Sequence, residues 1–342
     1  MHGTRMRSAF ITGLAGQALT AREAALLKAA QPCGLILFQR NIGEPDEVRR
    51  LLETARAAVG AAELLVLIDQ EGGRVQRLRP PHWRNRPAAA RYGAAHARNP
   101  DGALRAARLA AGLAARELVA LGINTSCAPV LDLPVPGGHD VIGDRAYGDT
   151  PERVIALGRA VAEGLLAGGV LPVIKHIPGH GRATKDSHRE LPTVTASRAE
   201  LEASDFLPFR ALAHLPAAMT AHVVFAAIDP AAPASISERV TREVIRGLIG
   251  FDGLLISDDL GMAALAGSMP DRAQAVLRAG SDLALLCGGD VAELEAVAAV
   301  VPPLEGLARA RFERACAAIG PPQALDVAEA EACLAEVLRA DA

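Results

Sequence analysis

Asp186 and His188 stand two residues apart in KHIPGHGRATKDSHRELP, Lys175 to Pro192, a stretch that also holds His176 and His180. At that spacing a carboxylate can hydrogen-bond an imidazole, fix its tautomer and support its protonation, so that the ring donates and then recovers a proton. Asp258, in ISDDLGM, follows an apolar run and is placed to attack an electrophilic carbon such as an anomeric centre. Attack there would form a covalent ester while the histidine protonates the leaving oxygen, and a second displacement would retain configuration. Asp69, Arg77, Arg145 and Lys175 offer the paired donors and acceptors that hold a neutral, polyhydroxylated substrate. Glu71 competes with His188 as general acid, because it would restore the two-carboxylate arrangement usual for such chemistry.

Other readings of the same residues are weaker. Metal binding through His176, His180 and Asp186 would want H-x-H or H-E-x-x-H spacing or an assisting cysteine, and none occurs, so no metal is expected. A phosphate cradle built on Gly179, Gly181 and Lys185 lacks the strand, glycine loop and helix that such a loop requires. Arg77 and Arg145 could be surface ion-pair residues, and a strand-end carboxylate often caps the next helix. Several carboxylates at strand ends in one ring are not explained as caps.

Positioning these groups falls to eight apolar runs: Phe10–Leu14, Gly34–Phe38, Leu64–Ile68, Ile123–Ala128, Val170–Ile174, Ala217–Val223, Leu254–Ile256 and Leu283–Leu286. Between them lie helical patterns, such as Val48, Leu51, Leu52 and Ala55 after Pro45, and Val154, Leu157, Val161 and Leu165 after Pro151. Strands apolar on both faces, alternating with amphipathic helices, predict parallel strands covered by helices. Eight such units favour an α/β chain folded as one (β/α)8 TIM barrel over residues 1–342, with the polar strand ends converging on one face. An open doubly wound sheet would want a glycine fingerprint after the first strand, and GLAGQ does not supply it. Val291 to Ala342, rich in Ala, Leu and Glu, reads as closing helices.

Composition narrows the partners. Hydrophobic residues make up 50% and charged residues 22%, which excludes extensive disorder. A net charge of −3 gives no field for nucleic acid or anionic lipid, so the expected partner is a small molecule or a protein. Five cysteines, spread without short paired spacings, read as reduced core thiols. Gly13 and Gly16 interrupt the apolar run near the start, so MHGTRMRSAFITGLAG reads as a first strand and not an export signal. Ala211 to Ile228 is the longest uncharged stretch, but His214, Pro216, Thr220 and His222 argue against a membrane span.

Taken in order, GLILFQRNI, LIDQEGGRVQRL, APVLDL, VIGDRAYGDTP, KHIPGHGRATKDSHRELP and LLISDDLGM resemble the bacterial β-N-acetylglucosaminidases of glycoside hydrolase family 3. The resemblance runs from about Gly13 to Gly288 and implies a single barrel, without the second sheet domain of many family β-glucosidases. It implies that Asp258 is the nucleophile, that Asp186 and His188 form the acid/base dyad on a mobile loop after the fifth strand, and that Asp259 is a structural neighbour. Asp69, Arg77, Arg145, Lys175 and His176 match the residues that hold the sugar. The implied activity is removal of terminal N-acetylglucosamine from anhydromuropeptides in cytoplasmic peptidoglycan recycling, with no cofactor or metal. A monomer acting on a small carbohydrate or muropeptide is expected, with no nucleic acid or membrane partner. Alternatives are a phosphorylase or a β-glucosidase on the same fold, then a metal-dependent hydrolase or a non-catalytic sugar sensor. LPVPGGHD, between Asp132 and Val141, departs from close relatives and carries no expected site residue, and the loop varies at Arg182 and Ala183.

Overall fold

A computed structural model describes residues 7–60 and 63–338. Eight parallel strands close into a barrel: β1 (Ser8–Gly13), β2 (Pro32–Leu37), β3 (Leu65–Ile68), β4 (Thr125–Ser126), β5 (Leu171–Ile177), β6 (Ala217–Thr220), β7 (Leu254–Asp259) and β8 (Leu283–Leu286). Each strand lies between its neighbours in chain order, and β1 closes the ring by pairing Phe10 with Ala284 and Ile11 with Leu285. All eight expected runs are strands of this barrel. The first six residues of the opening segment lie outside the described residues, and the part that follows is β1.

Side chains alternate between two cores, as a period of two dictates. Leu65 and Leu67 of β3, Leu171 and Val173 of β5, Leu254 and Ile256 of β7, and Leu283 and Leu285 of β8 pack together inside the barrel. Their alternates Val66, Ile68, Ile174 and Leu255 pack outward against the helices. The helix Pro45–Val59 buries Val48, Leu51, Leu52 and Ala55, and Pro151–Ala167 buries Val154, Leu157, Val161 and Leu165, the predicted stripes in both cases. Thr20 starts the helix Ala21–Ala30 through a reciprocal cap with Glu23, whose carboxylate also accepts the Ala15 N–H at 3.0 Å and so fastens the loop after β1. Three helices, Val291–Ala298, Gly306–Ala317 and Val327–Leu338, occupy the closing segment.

Strand lengths depart from the apolar runs in both directions. β4 shrinks to Thr125–Ser126 because Pro129 has no N–H to donate to a ladder. The chain still follows β5, with the Ala128 and Pro129 carbonyls accepting from Val173 and Lys175 at 3.1 and 3.2 Å. β5 runs on through Lys175 and His176 to Ile177, and β7 through Ser257, Asp258 and Asp259, polar positions that an apolar criterion leaves out. Two short ribbons lie outside the barrel, Gln70–Gly72 with Val75–Gln76 and Thr193–Val194 with Val224–Phe225.

Candidate active site

Inward positions beyond the apolar layers turn polar at the C-terminal mouth. Counting in twos from Leu65 and Leu67 reaches Asp69, from Leu171 and Val173 reaches Lys175, and from Leu254 and Ile256 reaches Asp258. Lys175 Nζ donates to Asp69 Oδ1 at 2.8 Å and lies 2.6 Å from Glu71 Oε1. Arg77 Nη2 donates to Asp69 Oδ2 at 3.0 Å, and Arg145 grips both oxygens of Glu71 at 2.8 Å. Two carboxylates thus face three cations in a pocket where the Lys175 side chain is only 3% exposed.

The ribbon after β3 makes this cluster possible. Gly72 has φ +103° and Gly73 φ +56°, and a Cβ on Gly72 would meet the Pro87 carbonyl at 2.3 Å, so glycine is required at that turn. The chain then doubles back, and Gln70 Oε1 accepts the Arg77 and Leu78 N–H groups, each at 3.0 Å, which returns Arg77 to Asp69. Burial alone would raise the pKa of Asp69 and Glu71. Lys175 outweighs it for both, with Arg77 at Asp69 and Arg145 at Glu71, and holds both carboxyls below their ordinary range. Lys175 moves the opposite way: burial would lower it, and Asp69 and Glu71 raise it. Glu71 is therefore an ionised clamp with both oxygens engaged, a poor proton donor.

His176 follows Lys175, and its Nδ1 donates to Asp132 Oδ2 at 2.7 Å. That leaves Nε2 as the ring's remaining polar atom. Asp132 is fully buried, and its Oδ1 accepts the backbone N–H of His176 at 3.2 Å and of His180 at 2.7 Å. Burial works to raise the Asp132 pKa, but the His176 and His180 imidazoles with the hydrogen bonds from His176 Nδ1 and the His180 N–H together outweigh it, so the carboxyl is held down.

Asp258 is half-buried on β7. Its N–H donates to Thr220 Oγ1 at 3.3 Å, and its Oδ1 accepts the Asp259 N–H at 2.8 Å. Burial works to raise its pKa, while the His222 and His176 imidazoles, the Asp259 N–H and His188 together hold it below the ordinary carboxylate range. Asp259 turns to the scaffold, its Oδ1 accepting the Gly261 and Cys287 N–H groups at 3.0 and 2.9 Å.

Asp186 and His188 lie on the loop after β5. Asp186 Oδ1 accepts both the His188 N–H at 2.9 Å and its Nδ1–H at 2.8 Å, which leaves His188 Nε2 outward on a side chain 63% exposed. Burial opposes ionisation of Asp186, and these two hydrogen bonds from His188 overcome it. Among the described residues no hydrogen bond or ion pair joins the dyad directly to Asp258. The loops of β5 and β7 do meet where the Ala264 N–H donates to the Ser187 carbonyl at 3.2 Å.

The structure thus gathers Asp69, Arg77, Arg145 and Lys175 into one ion-pair cluster. It places His176 beside them, Asp258 on the same mouth, and Asp186 with His188 on a separate loop. Sequence reasoning missed Asp132, which stands inside APVLDL directly after an apolar run, and Ser187 and His222, which carry no spacing signal. Among the described residues no three His, Cys, Asp or Glu side chains group so as to hold a metal ion. No helix among them is long and apolar enough to cross a membrane.

Comparison with known proteins agrees with this architecture. Residues 6–319 match the model of the glycosyl hydrolase family 3 N-terminal domain. A β-hexosaminidase of Alkalilimnicola ehrlichii is 45% identical over 279 residues, covering 80% of this chain and 79% of that protein. A β-hexosaminidase of Pseudomonas aeruginosa is 40% identical over 312 residues, covering 90% and 91%. Among solved structures, NagZ from Neisseria gonorrhoeae in complex with N-trifluoroacetyl-D-glucosamine superposes with a TM-score of 0.85 at 32% identity, over 98% of each chain. A family 3 β-N-acetylglucosaminidase from Paenibacillus gives 0.82 at 31% identity, over 96% of this chain and 66% of that one.

Proposed function

From the premise that this chain belongs to glycosyl hydrolase family 3 and is a β-N-acetylhexosaminidase, we propose that it removes terminal N-acetylglucosamine from peptidoglycan fragments with retention of configuration. Asp258 attacks the anomeric carbon, and the His188 imidazolium gives its proton to the departing glycosidic oxygen. The glycosyl ester on Asp258 is then attacked by water, whose proton passes to His188, and the enzyme returns to its starting state. Asp69, Arg77, Arg145, Lys175 and His176 hold the sugar. The Asp69–Lys175 and Glu71–Arg145 pairs present a rigid polar wall whose remaining lone pairs and N–H groups suit ring hydroxyls.

One observation carries this reading: a carboxylate kept ionised at the barrel mouth stands apart from an imidazole that has its own carboxylate partner. The two have opposite duties, nucleophile and proton donor, and their surroundings separate them. Action in the cytoplasm is part of the proposal, supported by five free cysteines, two of them fully buried in the core.

The test is release of p-nitrophenol from the N-acetyl-β-glucosaminide and the matching β-glucoside, with and without chelator, followed by assay on an anhydromuropeptide. Chelator-resistant release from the N-acetyl substrate and liberation of N-acetylglucosamine from the muropeptide are expected. Release from the glucoside alone, or loss of activity with chelator and its return with zinc, would overturn the reading. Phosphate added in parallel separates water from phosphate as acceptor, since formation of a sugar 1-phosphate would mark phosphorolysis.

A further inference from the structure

His180 and Ser187 face each other inside the loop that carries the dyad, and both are buried. His180 Nε2 lies 2.9 Å from Ser187 Oγ, and His180 Nδ1 is buried without a hydrogen-bond partner. An N–H orphaned at Nδ1 would carry the full cost of desolvation, so the neutral ring holds its proton at Nε2 and donates it to the serine hydroxyl. The base of this contact is immobile. The His180 N–H is fixed by the buried carboxylate of Asp132, and Gly181 beside it packs so tightly that a Cβ would come within 1.8 Å of the Leu133 carbonyl.

Ser187 stands between Asp186 and His188. The dyad's own hydrogen bonds are local, Asp186 accepting from His188 through Oδ1 and from the Arg189 and Glu190 N–H groups through its carbonyl. Among the described residues, every hydrogen bond that ties Asp186, Ser187 and His188 to a segment beyond these next two residues passes through Ser187. Its hydroxyl meets His180, and its carbonyl meets Ala264 of the loop after β7. The exposed His188 side chain has no other anchor to the barrel.

We propose that the His180–Ser187 hydrogen bond is a latch that sets where the His188 imidazole stands, making both positioning residues for proton transfer to the leaving group. The inference rests on the proposed role of His188 as acid/base. Lost pre-organisation falls on the one group whose placement the latch governs, and misplacement of about 1 Å costs on the order of 10²-fold in rate. Steps that need no proton donor are spared.

The experiment compares Ser187→Ala and His180→Leu with the parent enzyme on aryl N-acetyl-β-glucosaminides spanning good and poor leaving groups. With a poor leaving group kcat/KM should fall by about 10- to 100-fold. With 2,4-dinitrophenolate as leaving group it should change by less than about 3-fold, and inhibition by free N-acetylglucosamine should stay as it was. His180→Gln, which keeps a donor at similar reach, should recover most of the loss. In a His188→Ala background the latch variants should add nothing further. A uniform fall across all leaving groups, or undiminished loss in the His188→Ala background, would overturn the latch. If one variant does not fold, the other decides, since each removes one half of the same bond. Failure of His188→Ala itself to steepen the leaving-group dependence would instead overturn the role of His188, so the two failures are distinguishable.

Discussion

The ion-pair cluster at the mouth of β3 and β5 and the dyad loop after β5 use the same residue types under opposite conditions. In the cluster, Lys175 is buried, the side chains of Asp69, Glu71 and Arg145 are at most 15% exposed, and each charge is held by an opposite charge beside it. In the loop, the Asp186 carboxylate serves one exposed imidazole, and among the described residues the hydrogen bonds that tie Asp186, Ser187 and His188 to distant segments all run through Ser187. A group that only binds can be frozen. A group that must pass a proton to one partner and take it back from another needs an open ring nitrogen and room to meet both, which an exposed loop provides. Asp258 sits between the two regimes, half-buried on a strand yet with one carboxylate oxygen that, among the described residues, accepts no hydrogen bond.

The sharpest break of this comparison is Asp258→Ala, which removes the nucleophile that both regions serve. Turnover of the N-acetyl aryl glycoside should fall by on the order of 10⁴-fold or more, with the thermal midpoint little changed. Retained turnover would remove the division of labour altogether. His188→Ala should next lower kcat/KM on a natural disaccharide by about 10² to 10⁴-fold, with a much smaller loss on 2,4-dinitrophenyl substrates. Because His188 is exposed, the same change should move urea-unfolding stability by no more than about 0.5 kcal/mol. Lys175→Met should do the reverse. It takes one of two cations from each of Asp69 and Glu71, leaving Arg77 and Arg145 in place, and destabilisation of about 1–3 kcal/mol is expected from the same urea titration, together with a rise in KM. Equal stability losses at His188 and Lys175 would erase the contrast.

The smallest expected effect is a pH dependence of folding. Burial keeps His180 neutral, with its pKa pushed down from 6.5 to about 4, and pushes His222 in the same direction. The unfolded chain therefore binds more protons than the fold between those values. The His180 contribution is complete above about 6.5 and is lost as pH falls toward about 4. Asp69 and Glu71, held down by their cations, lose theirs as pH falls below the ordinary carboxylate range. Urea midpoints at pH 7 and pH 5 should differ, and His180→Gln should flatten that slope.

Much of this arrangement was legible before any coordinates. The barrel follows from apolar runs of three to seven residues separated by helical stripes such as Val48, Leu51, Leu52 and Ala55, which bury one face against the sheet. Polar residues at strand ends pointed to the mouth, because Asp69, Lys175 and Asp258 continue the inward parity of their strands. What stayed hidden depends on contacts between distant segments. Asp132 takes its meaning from His176, 44 residues later, and Glu71 becomes an ion-pair clamp only because Arg145 arrives 74 residues downstream. The ends of β4 and β7 escaped for a different reason: apolarity marks where a strand is buried and not where its hydrogen bonds stop.

The most direct test of the central claim, that Asp258 forms a covalent bond to the sugar while His188 handles the proton, is to trap the intermediate. Incubation with a 5-fluoro N-acetyl-β-glucosaminyl fluoride, followed by intact-mass measurement and peptide mapping, should give one adduct per chain, located on Asp258 in the LLISDDLGM peptide. Label on any other residue would contradict the account. So would inactivation that leaves no adduct on a protein still turning over aryl glycosides.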